Sequence, residues 1–319
     1  MILLNSTRTA LYHVLKLHYN EFHKKKILVP SFTCHTVTDI ISKANIKFEY
    51  YELSENFKID FHKIDKQIQS NYFFGIIGTN YFGFPYFINE FLDICNRHGI
   101  LYFEDNSHGL GSSLNNSSLG TFGDFGFTSL TKHIRLQSGG ILNIKSNSNL
   151  SKVIYDSDLK REKTKFFKII SYYLNHYLPK FTRILINFKS KKLIFNDPYL
   201  YKDNYFSYSK IDIFSEIIFK KYNIKFLKDI KSKNYKFWVK EIYKNFEYKP
   251  LFEIQENVNP WCVPYLIEDN KMKNDIIEFV KNKNGTCFTW PSLPNKIIHE
   301  SHNTLNLWKR LLCISTLNK

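Results

Sequence analysis

The first 145 residues switch repeatedly between two hydrophobic periods. Apolar positions at three- and four-residue spacing predict helices over residues 9–22, 35–44, 61–69 and 89–98. Short runs rich in β-branched and aromatic residues predict strands over 26–30, 46–53, 72–79 and 100–103, with Gly99 as the stop before the last of these. This alternation is that of parallel β-α units and predicts an α/β fold with a mostly parallel, doubly wound sheet. Ligands of such sheets gather at the carboxyl ends of the strands, where the Thr79-Asn80 pair and Asp105 lie.

Beyond residue 150 the pattern changes to long basic, aromatic helices, predicted over 160–173 and 211–222 among others. From about residue 248 come strand-like residues 261–267, a helix over 274–281 and a Trp290-Pro-Ser-Leu-Pro294 turn. The expected organisation is a large α/β domain over 1–150, a helical connecting region over 151–240 and a small C-terminal α+β domain over 241–319. There is no internal repeat and no low-complexity linker.

Composition narrows the class. With 43% apolar and 23% charged residues, the 319-residue chain is that of a folded globular protein. No apolar run approaches the roughly 18–20 residues needed to span a bilayer. The start, Met1-Ile-Leu-Leu-Asn5, has neither the charged nor the full apolar region of a signal peptide. Five scattered cysteines without CxxC spacing argue against a disulfide framework or a zinc site and favour a reducing cytoplasm. The net charge of +16 lies almost wholly beyond residue 150, since residues 1–150 hold 14 Lys/Arg against 12 Asp/Glu. A basic half suits nucleic acid, anionic lipid or a phosphorylated substrate, and charge alone does not choose between them.

Three features carry chemistry. Lys132 follows a short β run ending in the hydroxyl residues Thr128, Ser129 and Thr131, and precedes a loop closed by Gly139-Gly140. Asp105 ends a strand in Leu101-Tyr-Phe-Glu-Asp105. Ser6-Thr7-Arg8-Thr9 opens the first helix, where free N–H groups suit a phosphate. Each has an ordinary reading taken singly: a solvated surface lysine, a helix cap, an N-cap.

Their order is more specific. Residues 5–144 resemble the DegT/DnrJ/StrS sugar aminotransferases, pyridoxal-phosphate (PLP) enzymes of fold type I. The resemblance rests on Ser6-Thr-Arg-Thr-Ala-Leu11, Val29-Pro-Ser-Phe-Thr33, Asn80-Tyr-Phe-Gly-Phe-Pro85 and Phe103-Glu-Asp105. It continues through Gly120-Thr-Phe-Gly-Asp124 and Ser129-Leu-Thr-Lys132 with Gly139-Gly140. It implies PLP as cofactor, a Schiff-base lysine at Lys132 and Asp105 as partner of the pyridine nitrogen. Thr7, Arg8 and Ser129 would bind the phosphate, and His108 would stand near the phenolic oxygen, with a capping or core histidine as the ordinary alternative. It further implies transfer of an amino group from an amino acid, with glutamate expected, to a nucleotide-linked keto sugar of surface-polysaccharide synthesis, in a homodimer. A sister group that removes a 3-hydroxyl carries His where the aminotransferases carry Lys, and Lys132 weighs against it.

The chain also departs from the family pattern. Cys34 stands where an aromatic often stacks on the cofactor ring, with His35 as a candidate substitute. The loop before Lys132 is short. The stretch that reaches into the partner subunit is not found, and Phe206-Ser-Tyr-Ser-Lys210 is the candidate for its place. Members usually carry several dozen residues ahead of the phosphate-binding turn, so a shortened start is expected. These departures keep open a non-catalytic or regulatory paralogue. The basic, aromatic stretch over 160–168, continuing over 188–192, reads first as solvated helix faces and second as a contact with an anionic membrane surface. Nucleic-acid binding is not expected, because no recognised motif accompanies the charge.

Overall fold

The computed structural model of the chain describes residues 1–145, 159–177, 197–199 and 206–317. Strands β2 (Lys26–Pro30), β3 (Lys47–Tyr51), β4 (Phe73–Thr79), β5 (Leu101–Asn106) and β8 (Phe125–Ser129) run parallel in the order β3-β2-β4-β5-β8. β9 (Gly140–Ile144) adds antiparallel to β8, and β1 (Ile2–Leu4) closes the edge antiparallel to β9. This is the expected mostly parallel α/β sheet. The short β1, which the pattern does not predict, gains its identity only from the pairing Ile2↔Leu142, Leu3↔Ile141 and Leu4↔Gly140.

Both faces of the sheet are apolar because helices cover both. Ile27, Val29 and Ile77 face a cluster with Ala10, Val14 and Ile41 from α1 (Thr7–Leu17) and α3 (His35–Lys43). Leu28, Ile76 and Tyr102 face the opposite way. That second cluster also takes in α4 (Phe61–Ser70), α5 (Ile88–His98) and the C-terminal part of the chain. α5 ends where expected, at Gly99, whose left-handed φ of +62° favours glycine. The helix expected over 9–22 breaks at buried His18 (φ −107°, ψ 21°) and resumes as the single turn α2 (Tyr19–Phe22).

Two short strands, β6 (Ser113–Leu114) and β7 (Ser117–Ser118), form a hairpin after β5. The helix expected from residue 160 begins later, as α6 (Phe166–Tyr177), because Arg161 and Glu162 are extended and pair with Lys210. α7 (Ile213–Lys221) and the long α8 (Ile224–Phe246) follow, α8 running through position 240, where the pattern placed a boundary. A small antiparallel sheet in the order β10-β12-β11 comprises β10 (Cys262–Leu266), β11 (Cys287–Phe288) and β12 (Leu311–Ser315). Around it lie α9 (Asn270–Asn282), α10 (Asn295–Glu300) and α11 (His302–Arg310). Trp238 and Tyr235 of α8 and Trp308 of α11 share one core with Tyr81 and Phe82 of the large sheet's loops. No helix among the described residues is long and apolar enough to cross a membrane.

Candidate active site

The carboxyl ends of β2, β5 and β8 converge with the N-terminus of α1 around one cavity of about 240 Å³. Its lining includes Thr7, Arg8, Asp105, His108, Ser129 and Lys132, so all six residues singled out in the sequence meet there. Ser6 is the N-cap of α1, its hydroxyl accepting the Thr9 N–H at 3.2 Å, which leaves the first amides of the helix beside Thr7 and Arg8. Gly140 fixes this turn against the sheet. A Cβ there would lie 2.2 Å from the Ser6 carbonyl carbon and 2.5 Å from the Thr7 nitrogen, so only glycine lets helix and strand approach this closely.

Neighbours on β5, Glu104 and Asp105 point to opposite faces of the sheet. Glu104 is fully buried and accepts from Asn80 Nδ2 (2.8 Å) and from the amides of Gly120 (2.6 Å), Phe122 (2.8 Å) and Gly123 (3.2 Å). Burial pushes its pKa up and these donors pull it down. The carboxylate thus ties the Asn80 and Gly120 motifs together. Asp105 faces the cavity, with Oδ1 accepting from the Ser107 N–H (3.0 Å) and hydroxyl (2.5 Å). Burial raises its pKa, against the Ser107 bonds and the nearby Lys132.

Lys132 has its protonation state written in its partners. The Phe82 N–H donates to His108 Nδ1 at 3.2 Å, so in a neutral ring the proton sits on Nε2. Nε2 lies 2.8 Å from Lys132 Nζ, and its N–H needs a lone pair to point at. An ammonium has none, so this arrangement favours the uncharged amine. Burial acts in the same direction, pushing the lysine down against the pull of Cys34 and Asp105 and holding His108 well below its usual range. The faces of Trp261 and Trp290, 4.5 and 5.4 Å from Nζ, favour the charged form but act against this larger desolvation. Trp261 stacks on the His108 ring at 4.2 Å and Trp290 meets it edge-on at 4.5 Å, which locks the imidazole in place.

Two expectations need correction. His35 does not stand in for the missing aromatic. It is the first residue of α3, one position past the cavity-lining Cys34, and its ring turns away to bond Ser292 Oγ through Nδ1 at 2.8 Å. The aromatic rings in the cavity wall are those of Phe127 on β8 and Trp290, from the Trp-Pro turn at 290–294. Second, Phe206–Lys210 lies on its own α1: Tyr208 Oη and His13 Nδ1 are 2.6 Å apart, Thr9 Oγ1 donates to the Ser207 carbonyl at 2.8 Å, and the Phe206 ring meets Tyr12 at 5.1 Å. The basic continuation over 188–192 lies outside the described residues.

The Cys34 thiol is held at about 7: burial alone would raise it, but hydrogen bonds with His35 and Thr36 prevail. Among the described residues no group of three or more His, Cys, Asp or Glu could hold a metal ion. The arrangement does fit PLP. An uncharged amine can condense with its aldehyde, a cavity-facing carboxylate can hold a proton on its ring nitrogen, and the α1 amides with Thr7 and Ser129 can receive its phosphate.

Residues 1–163 match the model of the DegT/DnrJ/EryC1/StrS aminotransferase family. Among solved structures the chain is similar to Helicobacter pylori PseC, an aminotransferase involved in the biosynthesis of pseudoaminic acid (14% identity, TM-score 0.69, covering 98% of this chain and 80% of that one). It is similar to a DegT DnrJ EryC1 StrS aminotransferase from Brucella abortus (13%, 0.69, 98% and 80%). It is also similar to E. coli GDP-4-keto-6-deoxy-D-mannose-3-dehydratase, solved with bound hydrated PLP (14%, 0.64, 98% and 83%). At these identities the likeness is one of fold.

Proposed function

The chain belongs to the DegT/DnrJ/EryC1/StrS aminotransferase family, and on that premise we propose that its cavity holds PLP and moves an amino group from glutamate to a nucleotide-linked keto sugar. The observation that carries this reading is Lys132, 2.8 Å from His108 Nε2 and lining a cavity shared with Asp105 and the α1 N-terminus. When bound, PLP supplies an aldehyde that joins amines and a ring that accepts the electron pair of a breaking C–H bond.

The chain's own residues do the rest. Lys132 Nζ would hold the group covalently, with loss of water, and would move the proton at the amino donor's Cα. His108 Nε2–H keeps the Nζ lone pair occupied and oriented beforehand. Asp105 holds the proton on the ring nitrogen, a positive charge that offsets the burial now raising its own pKa. Thr7, Arg8 and Ser129 hold the phosphate. An anionic acceptor is supported by the net charge of +16. Lys132 in the lysine position supports amino transfer over 3-hydroxyl removal, and the homodimer is carried over from the family.

Adding PLP to the purified protein should give a visible absorbance band that Lys132→Ala abolishes. Glutamate alone should then release one 2-oxoglutarate per site. A protein that stays colourless with PLP overturns the reading and leaves the non-catalytic paralogue. A coloured protein that ignores glutamate overturns the donor.

A further inference from the structure

Among the described residues, α6 turns only one side to the protein. Ile169 and Tyr172 are half-buried, the Tyr172 ring meeting Phe214 of α7 at 5.5 Å. The other side carries Phe166, Phe167, Ile170 and Leu174, all exposed, Phe166 to 74% and Phe167 to 61%, while the part-exposed Tyr173 ring lies 6.1 Å from Phe214. The spacing of those four is that of one helical stripe. Ile213 and Ile217, one turn apart on the adjoining α7, are exposed as well. A surface helix normally has one apolar face, turned inward. An outward face of aromatic and aliphatic side chains needs a partner of its own.

Charge indicates which partner. Lys163, Lys165 and Lys168 are exposed around the stripe. Over the described residues 159–177 and 206–246, fifteen Lys/Arg stand against five Asp/Glu. A two-fold contact with a second copy would bring two strongly basic faces together. An anionic surface with an apolar layer beneath it answers both halves of the patch. The face is also held in place: Arg161 pairs with Glu216 at 2.5 Å, Thr164 Oγ1 donates to Asp212 at 3.1 Å, and the Lys165 N–H donates to Gln137 Oε1 at 2.7 Å. At twelve residues α6 is about 18 Å long, too short for a hydrocarbon core of about 30 Å but suited to lying in the interface plane.

We propose that the outward face of α6, with Ile213 and Ile217 of α7, docks the protein on anionic lipid bilayers, its rings and aliphatic chains at the headgroup boundary and its lysines on the headgroups. The proposal does not depend on the cofactor chemistry.

Sedimentation with vesicles tests it. The protein should pellet with mixed phosphatidylcholine and phosphatidylglycerol vesicles, not with phosphatidylcholine alone, and added salt should release it. Each lysine near an anionic surface adds roughly fivefold in partitioning. The triple variant Lys163→Gln, Lys165→Gln, Lys168→Gln should therefore weaken binding on the order of a hundredfold. Phe166→Ser, Phe167→Ser, Ile170→Ser should also release the protein while leaving PLP uptake unchanged. Failure of the wild type to pellet with anionic vesicles overturns the proposal, as does binding that survives either triple variant. If the serine variant instead converts a stable dimer to a monomer in analytical ultracentrifugation and vesicles are ignored, the occupant is a second copy and the proposal fails.

Discussion

His108→Ala removes the donor that faces the Lys132 lone pair. A neutral hydrogen bond is worth about 1 kcal/mol net, and this one acts only on the uncharged amine. Its loss raises the lysine pKa by about 0.7 unit. Water entering the vacated space relieves the desolvation that pushes the amine down, adding to the same shift, so about one unit is expected in all. Below the amine's pKa the uncharged fraction falls tenfold per unit, so on the acid side of the inflection capture of the PLP aldehyde should slow by about tenfold, and it should recover in alkali. The assay is stopped-flow absorbance on mixing with PLP across a pH series. Wild-type rates should rise with pH to a plateau, and the variant's inflection should lie about one unit higher. His108→Gln keeps an N–H donor and should move it less. An inflection that stays in place or moves down in His108→Ala would refute the assigned tautomer and the uncharged lysine with it. The variant also strands the Phe82 N–H and loses the Trp261 stack, so its melting temperature is measured alongside.

Three further outcomes follow from the same geometry. Glu104→Gln turns an acceptor-only carboxylate, held by four donors, into a group with its own N–H facing them; about 3 kcal/mol of stability should be lost in denaturant titration. Gly140→Ala drives a methyl into the Ser6-Thr7 backbone and should weaken PLP binding by about tenfold or more, equal to about 1.4 kcal/mol, read by absorbance titration. Lys231 is fully buried, 2.7 Å from His133 Nδ1, and burial lowers its pKa to about 7. It stays uncharged in the fold above about 7, while the unfolded chain holds that proton up to about 10.4. The unfolded state therefore binds more protons in this window, and stability rises with pH across it by a few kcal/mol. Lys231→Met should melt higher at neutral pH and lose most of that rise, as thermal unfolding across the window would show.

The β-α repeat was legible because each switch between period two and period 3.6 is local. The six predicted cavity residues were legible because their motifs sit at strand ends and at one helix start. What failed was non-local. β1 is three residues whose strand character comes from β9, and the extended start of the 159–177 segment comes from Lys210. Cys34 and His35 differ by one step at the start of α3, and pattern does not say which of them turns toward the cavity. Trp261 and Trp290 reach Lys132 across more than a hundred residues of sequence. Only the shared core, which sequence spacing does not encode, brings them there.

The small sheet has its last strand in the middle, β12 between β10 and β11. Synthesis delivers the lysine, the acid and the phosphate turn first, and the ladder that seats both tryptophan-bearing segments last. Until β12 emerges from the ribosome, β10 and β11 have no common neighbour to pair with. Lys132 without β12 lacks the strand that seats the Trp261 and Trp290 wall beside it. Completion of the cavity wall thereby waits on β12: the scaffold that carries the lysine and the acid precedes, in the chain, the strand that seats the wall over them.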